Sequence, residues 1–112
     1  MSTLRQLGQI AEDRAADFLI AQGYTLVTRR FTVRQGEIDL VAIDGDEIVF
    51  VEVKLRNAPG FRPEEAVGQK KLARLRRAAD AYLLAHADLG HPHRFDLVAI
   101  DEDGIRHYER AF

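Results

Sequence analysis

The chain contains no cysteine, which excludes a disulfide frame, a thiol nucleophile and a cysteine metal site. That is compatible with a reducing cytoplasm. No apolar run approaches membrane-spanning length, and the opening MSTLRQLGQIAEDR is too charged for a signal peptide. Neither sign of charge dominates: 16 Lys and Arg stand against 18 Asp and Glu, a net charge of −2. Net charge alone therefore gives no argument for a nucleic-acid partner. Internal repeats, low-complexity tracts and linkers are also missing. What is present is 112 residues, 46% of them hydrophobic, enough for one compact domain spanning residues 1–112 with a real core.

The most informative stretch is Gly36 to Lys54, GEIDLVAIDGDEIVFVEVK. It reads as two strands around a tight turn at Asp44-Gly45 or Gly45-Asp46, with Asp-Gly the signal for a type I′ turn. Either two-residue loop puts Glu37, Asp39, Val41 and Ile43 on one face with Ile48, Phe50, Glu52 and Lys54. The other face is Ile38, Leu40 and Ala42 with Val49, Val51 and Val53. With a Gly45-Asp46 loop, Asp39 lies directly opposite Glu52, and in either case their Cβ atoms are about 5–8 Å apart. A hairpin apolar on both faces is an interior pair, covered above and below. Charges placed there are costly unless something pairs with them. Two close carboxylates repel unless a cation intervenes. The cation could be Lys54 alone, Lys54 with an arginine, or a divalent metal. Oxygen-only ligands suit Mg²⁺ or Mn²⁺ rather than zinc.

Around the hairpin, residues 3–22 read as an amphipathic helix with Leu4, Leu7, Ala11, Ala15, Phe18 and Leu19 inward, capped by Ser2 or Thr3 and ended by Gly23. Glu12 borders that stripe; it could reach the site or simply face solvent. Tyr24–Val33 reads as a strand. Residues 56–62, RNAPGFR, read as a loop beside the site. A second helix runs from Pro63 to about His86, with Leu72, Leu75, Ala79, Tyr82 and Leu83 buried and Lys70, Lys71, Arg74 and Arg77 on another face. Arg94–Ile100 and Ile105–Arg110 are further strands. His91 and His93, two residues apart, lack a third ligand nearby in sequence and make a poor zinc site. Residues 29–77 hold eleven of the sixteen basic residues against eight acids. A local excess of base around an acidic cluster suits a phosphate-bearing ligand, or else a solvated surface.

This order predicts a three-layer α/β domain with a mixed sheet of about five strands and a helix on each side. The strand ending at Lys54 and the one starting at Arg94, joined by a helical crossover, should be parallel.

Asp39, twelve residues, then Glu52-Val53-Lys54 is a recognisable device. Two carboxylates, with the Val53 carbonyl available as an extra ligand, can hold a metal that acidifies a water, and Lys54 can orient that water, stabilise hydroxide or screen the transition state. The chain resembles the bacterial YraN-like family in Gly36-Glu37-Ile38-Asp39-Leu40, in Val49 to Lys54, and in Gly8, Glu12, Gly23-Tyr24, Glu65-Ala66-Val67, Lys71 and Arg94-Phe95-Asp96. It departs from that family at Arg30-Phe31, where an Asn often precedes the aromatic. The family looks like restriction-endonuclease-type PD-(D/E)xK nucleases, archaeal Holliday-junction resolvases in particular. The resemblance implies a restriction-endonuclease-like fold and a helix glutamate, here Glu12, joining Asp39 and Glu52 on the metal. The expectations are therefore a metal-dependent nuclease on DNA or RNA, structured or branched, with Arg56, Lys71 and Arg74 on phosphates and room for a homodimer. A nucleic-acid-binding module without chemistry, or an adaptor whose charges satisfy one another, are the alternatives.

Overall fold

Gly45 turns the central hairpin. Asp44 pairs with Glu47, so the loop is Gly45-Asp46, and Gly45 has φ +64°. Asp46 stays at negative φ, which makes the turn type II′ rather than type I′. In the computed structural model, which describes residues 3–55, 67–101 and 103–112, the elements are α1 (Leu4–Ala21), β1 (Thr25–Val33), β2 (Gly36–Asp44), β3 (Glu47–Leu55), α2 (Gln69–His86), β4 (His93–Asp101) and β5 (Gly104–Tyr108). The sheet runs β1-β2-β3-β4-β5, antiparallel except for β3 and β4, which are parallel as the helical crossover requires.

Both faces of the sheet are covered. Ala11, Ala15, Ala16 and Leu19 of α1 pack on Leu40, Val49, Val51, Val98 and Ile100. Leu75, Ala78, Ala79, Tyr82 and Leu83 of α2 pack on Val41, Ile48 and Phe50. The result is the expected three-layer α/β arrangement.

Three details differ from the sequence reading. Ile38 joins the α2 cluster although Leu40 joins the α1 cluster, so strand alternation slips at Asp39. On the neighbouring strand Arg29 pairs with Leu40 and Phe31 with Ile38, while Arg30 between them sits at φ +50°. Leu4 and Leu7, read as inward, are 88% and 39% exposed, because the helix overruns its packed surface and the α1 core begins at Ala11. The second helix starts at Gln69, not Pro63. Gly68, extended at φ −70° and ψ 166°, stands before it and supplies no side-chain cap. Residues 56–62, Pro63 and Glu64–Ala66 lie outside the described residues. At the other end, Thr3 caps α1 in a reciprocal capping box with Gln6.

Gly36 fixes where α2 sits. A Cβ there would fall onto the backbone carbonyl of Arg74, so only glycine lets the start of β2 lie against the helix. This contact holds the basic first half of α2 over the charged end of the hairpin.

Candidate metal and phosphate site

The hairpin strands are paired from Leu40↔Val51 to Asp44↔Glu47. Beyond Leu40, the Asp39 carboxylate takes the Val53 backbone N–H at 2.8 Å. Here it is the N–H of Val53 that is engaged. Glu52, 3% exposed on β3, receives the ammonium of Lys71 from the first turn of α2. The two acids share a cleft of about 330 Å³ lined by Glu37, Asp39, Glu52, Lys70, Lys71, Arg74 and Leu75. Asp39 and Glu52 thus reach one site, as the hairpin geometry predicts.

Its electrostatics follow from crowding. Burial raises the Asp39 pKa, the adjacent Glu52 charge raises it further, and the Val53 N–H and Lys71 only partly offset them, leaving it at about 7. Lys71 shows the converse. Burial favours its neutral form, but its bond to Glu52 and the charges of Glu52, Asp39 and Glu37 outweigh that and raise its pKa. The site is a pair of oxygen donors held close, with one side-chain cation between them and solvent.

Glu12 lies nearby on α1, half-buried. The Arg30 guanidinium reaches both its oxygens, at 3.2 and 3.4 Å. Burial raises the Glu12 pKa, with Asp39 and Glu37 adding to it and Arg30 opposing, so Glu12 feels the charge of Asp39. Arg30 also lies 3.8 Å from Glu37. Among the described residues no three Asp, Glu, His or Cys side chains converge as a ready cage. Asp39 and Glu52 are the pair that could hold an ion, with hard oxygen donors of the type Mg²⁺ and Mn²⁺ prefer. Glu12 would have to leave Arg30 to join them.

Lys54 is half-buried. Val53 packs with the α1 cluster, so strand alternation turns Lys54 to the side of Glu52. It makes no ion pair with any described residue and does not line the cleft. Lys70 and Arg74 do line it, likewise without an ion pair to a described residue. Lys71 therefore plays a part that charge pattern did not reveal: it neutralises Glu52. Arg56 lies outside the described residues. The two histidines keep apart from any site, His91 Nε2 at 3.0 Å from the Asp46 carbonyl oxygen and His93 Nδ1 at 2.8 Å from the His91 carbonyl oxygen.

A second polar cluster occupies the turn end of the hairpin. Arg94 and Asp96, both buried, bond each other at 3.0 Å. Arg94 also reaches Asp44, Glu47 and the Tyr24 hydroxyl, while Asp96 accepts from the Arg110 N–H and lies 2.7 Å from His107 Nε2. Burial would raise the Asp96 pKa, but His107, Arg94 and the Arg110 N–H hold it below the ordinary value. Two charges spaced i, i+2 in an apolar strand are the signal for this network, since they must share a face. It is fully bonded and reads as a structural clamp.

Fold and cleft together define an α/β domain with a mixed sheet and an acid pair, half-buried Asp39 and buried Glu52, facing a basic helix. A profile described as "Uncharacterised protein family UPF0102" matches residues 11–100. The chain belongs to this family, the one that its YraN-like motifs pointed to. A UPF0102 protein of Halorhodospira halophila is 44% identical over 109 residues, covering 96% of this chain and 88% of the relative. One from Persephonella marina is 38% identical over 106 residues, with 94% and 91% covered. One from Moorella thermoacetica is 44% identical over 99 residues, with 88% and 82% covered. No helix among the described residues is long and apolar enough to cross a membrane.

Proposed function

We propose that the protein is a divalent-metal-dependent nuclease that hydrolyses phosphodiester bonds in DNA or RNA, with branched or structured nucleic acid as its substrate. The observation that carries this reading is the pairing of half-buried Asp39 with buried Glu52 in a cleft walled by Lys70, Lys71 and Arg74. Acids there fit a hard cation and the bases fit the phosphate that such a cation would polarise. When bound, Mg²⁺ or Mn²⁺ supplies Lewis acidity and lowers the pKa of a water. In this scheme Asp39 and Glu52 bind the ion as carboxylates. Lys54, on the same side of β3 as Glu52, orients the attacking water and offsets developing charge. Glu12 adds a third carboxylate once released by Arg30. Lys71 and Arg74, with Arg56 from the adjoining segment, hold phosphate oxygens.

The Lys71–Glu52 ion pair favours a second reading, a nucleic-acid-binding or adaptor protein that keeps the fold and performs no chemistry. Incubating the protein with branched, single-stranded and duplex substrates, with Mn²⁺, Mg²⁺ or chelator, separates the two. The nuclease reading expects metal-dependent product, abolished in folded Asp39→Ala and Lys54→Ala variants. Salt-sensitive binding without product, or variants that cut as well as wild type, would overturn it.

A further inference from the structure

The acid pair already has a cation of its own. Glu52 is buried, and its ion pair is with a lysine whose side chain is 55% exposed. Asp39 instead satisfies an oxygen on the Val53 N–H and feels Lys71 only as a nearby charge. Lys71 belongs to the first turn of α2 and approaches from the solvent side of the cleft, so it can withdraw without disturbing packed groups. Beside it, Lys70 and Arg74 face the same space without an ion pair to any described residue.

We propose that Lys71 is a displaceable internal cation: its ammonium holds the cation position at Glu52 in the metal-free protein, and divalent-ion binding expels it to join Lys70 and Arg74 as a phosphate-binding group. The inference rests on the reading of Asp39 and Glu52 as metal ligands and adds to it an assigned exchange. One consequence is linkage. An ion that frees Lys71 strengthens binding of a phosphate backbone, and the backbone must strengthen binding of the ion by the same factor.

Three readouts test this without reference to cleavage. In wild type, a brief acetylation pulse read by mass spectrometry should label Lys71 less than Lys70 in chelator, and saturating Mg²⁺ should raise labelling at Lys71. In calorimetry, Lys71→Gln should bind Mn²⁺ about 5-fold more tightly than wild type. Lys70→Gln, which removes an equal charge from the same cleft wall, should bind it with a much smaller gain. Wild type should bind a fluorescein-labelled single-stranded oligonucleotide more tightly in Mg²⁺ than in chelator, and Lys71→Gln should lose most of that difference.

Unchanged Lys71 labelling in Mg²⁺ overturns the inference in wild type, whether or not the variant folds. Equal gains in Lys70→Gln and Lys71→Gln also overturn it, because they reduce it to general electrostatics. Metal-dependent cleavage with unmoved Lys71 labelling sinks this exchange and leaves the nuclease reading intact. Metal-driven release of Lys71 without cleavage does the reverse.

Discussion

The Asp39 carboxylate on β2 accepts the backbone N–H of Val53 on β3 at 2.8 Å, where the ladder between the two strands has stopped at Leu40↔Val51. The side chain thus takes over a bond that strand pairing would otherwise make. It also draws the acid to within the field of Glu52, and most of the site's chemistry follows from that.

Asp39 should make metal-free stability depend on pH. Its pKa rises from an ordinary 3.8 to about 7, so between those values the folded chain holds a proton that the unfolded chain has released. Stability contributed by this group is therefore full below about pH 4 and falls as pH rises to about 7. Asp39→Asn keeps an acceptor for the Val53 N–H and removes the titration. Thermal melts in chelator should show the variant melting above wild type at pH 8, by about 4 °C or more, with the gap closing towards pH 5.

Gly36→Ala should loosen the anchoring of α2, because the new methyl group meets the Arg74 carbonyl. Backbone cannot yield as a flexible side chain can. A loss of about 1–3 kcal/mol is expected in urea unfolding. An unchanged midpoint would mean that α2 can shift freely, contradicting its role in holding Lys71 and Arg74 over the acids.

Arg30 occupies a left-handed backbone position, φ +50°, which asparagine adopts more readily than other non-glycine residues. In this chain arginine accepts the strain and gains Glu12 and Glu37. Comparing Arg30→Asn with Arg30→Ala isolates the backbone effect, since both lose the ion pairs. The Asn variant should melt higher than the Ala variant; equal melting would remove the conformational argument.

Arg94→Ala leaves Asp96 buried without its guanidinium partner and removes bonds to Asp44, Glu47 and Tyr24. Breaking one side of a buried pair costs about 3–5 kcal/mol. Chemical denaturation should show a loss of that order, the largest of these substitutions. Asp96 also sets an acid limit: with its pKa depressed, its stabilisation is complete above the ordinary carboxylate value and disappears as pH falls through the lowered one.

The sheet and both helical layers were legible because they rest on local signals: Gly45 at the turn, apolar runs on both faces of the hairpin, and the stripes Ala11–Leu19 and Leu75–Leu83. That Asp39 and Glu52 share a cleft was legible from the two-residue loop, although the ladder ends at Leu40↔Val51 and the Asp39 carboxylate itself makes the last link to β3. What escaped depends on contacts between distant segments. The slip at Asp39 sits beside the left-handed Arg30 of another strand, the Gly36 requirement comes from the carbonyl of Arg74, and the pairing of Lys71 with Glu52 from how closely α2 approaches. A line of cations on a helix looks the same in sequence whether it faces solvent or closes over an acid.

The most direct measurement is calorimetric titration of Mn²⁺ into wild type and Asp39→Asn at pH 6 and pH 8. The account predicts saturable binding by wild type at pH 8, weaker binding at pH 6 where Asp39 retains its proton, and loss of binding in the variant at both. Absence of binding by wild type at pH 8, or the same binding in Asp39→Asn, would contradict it.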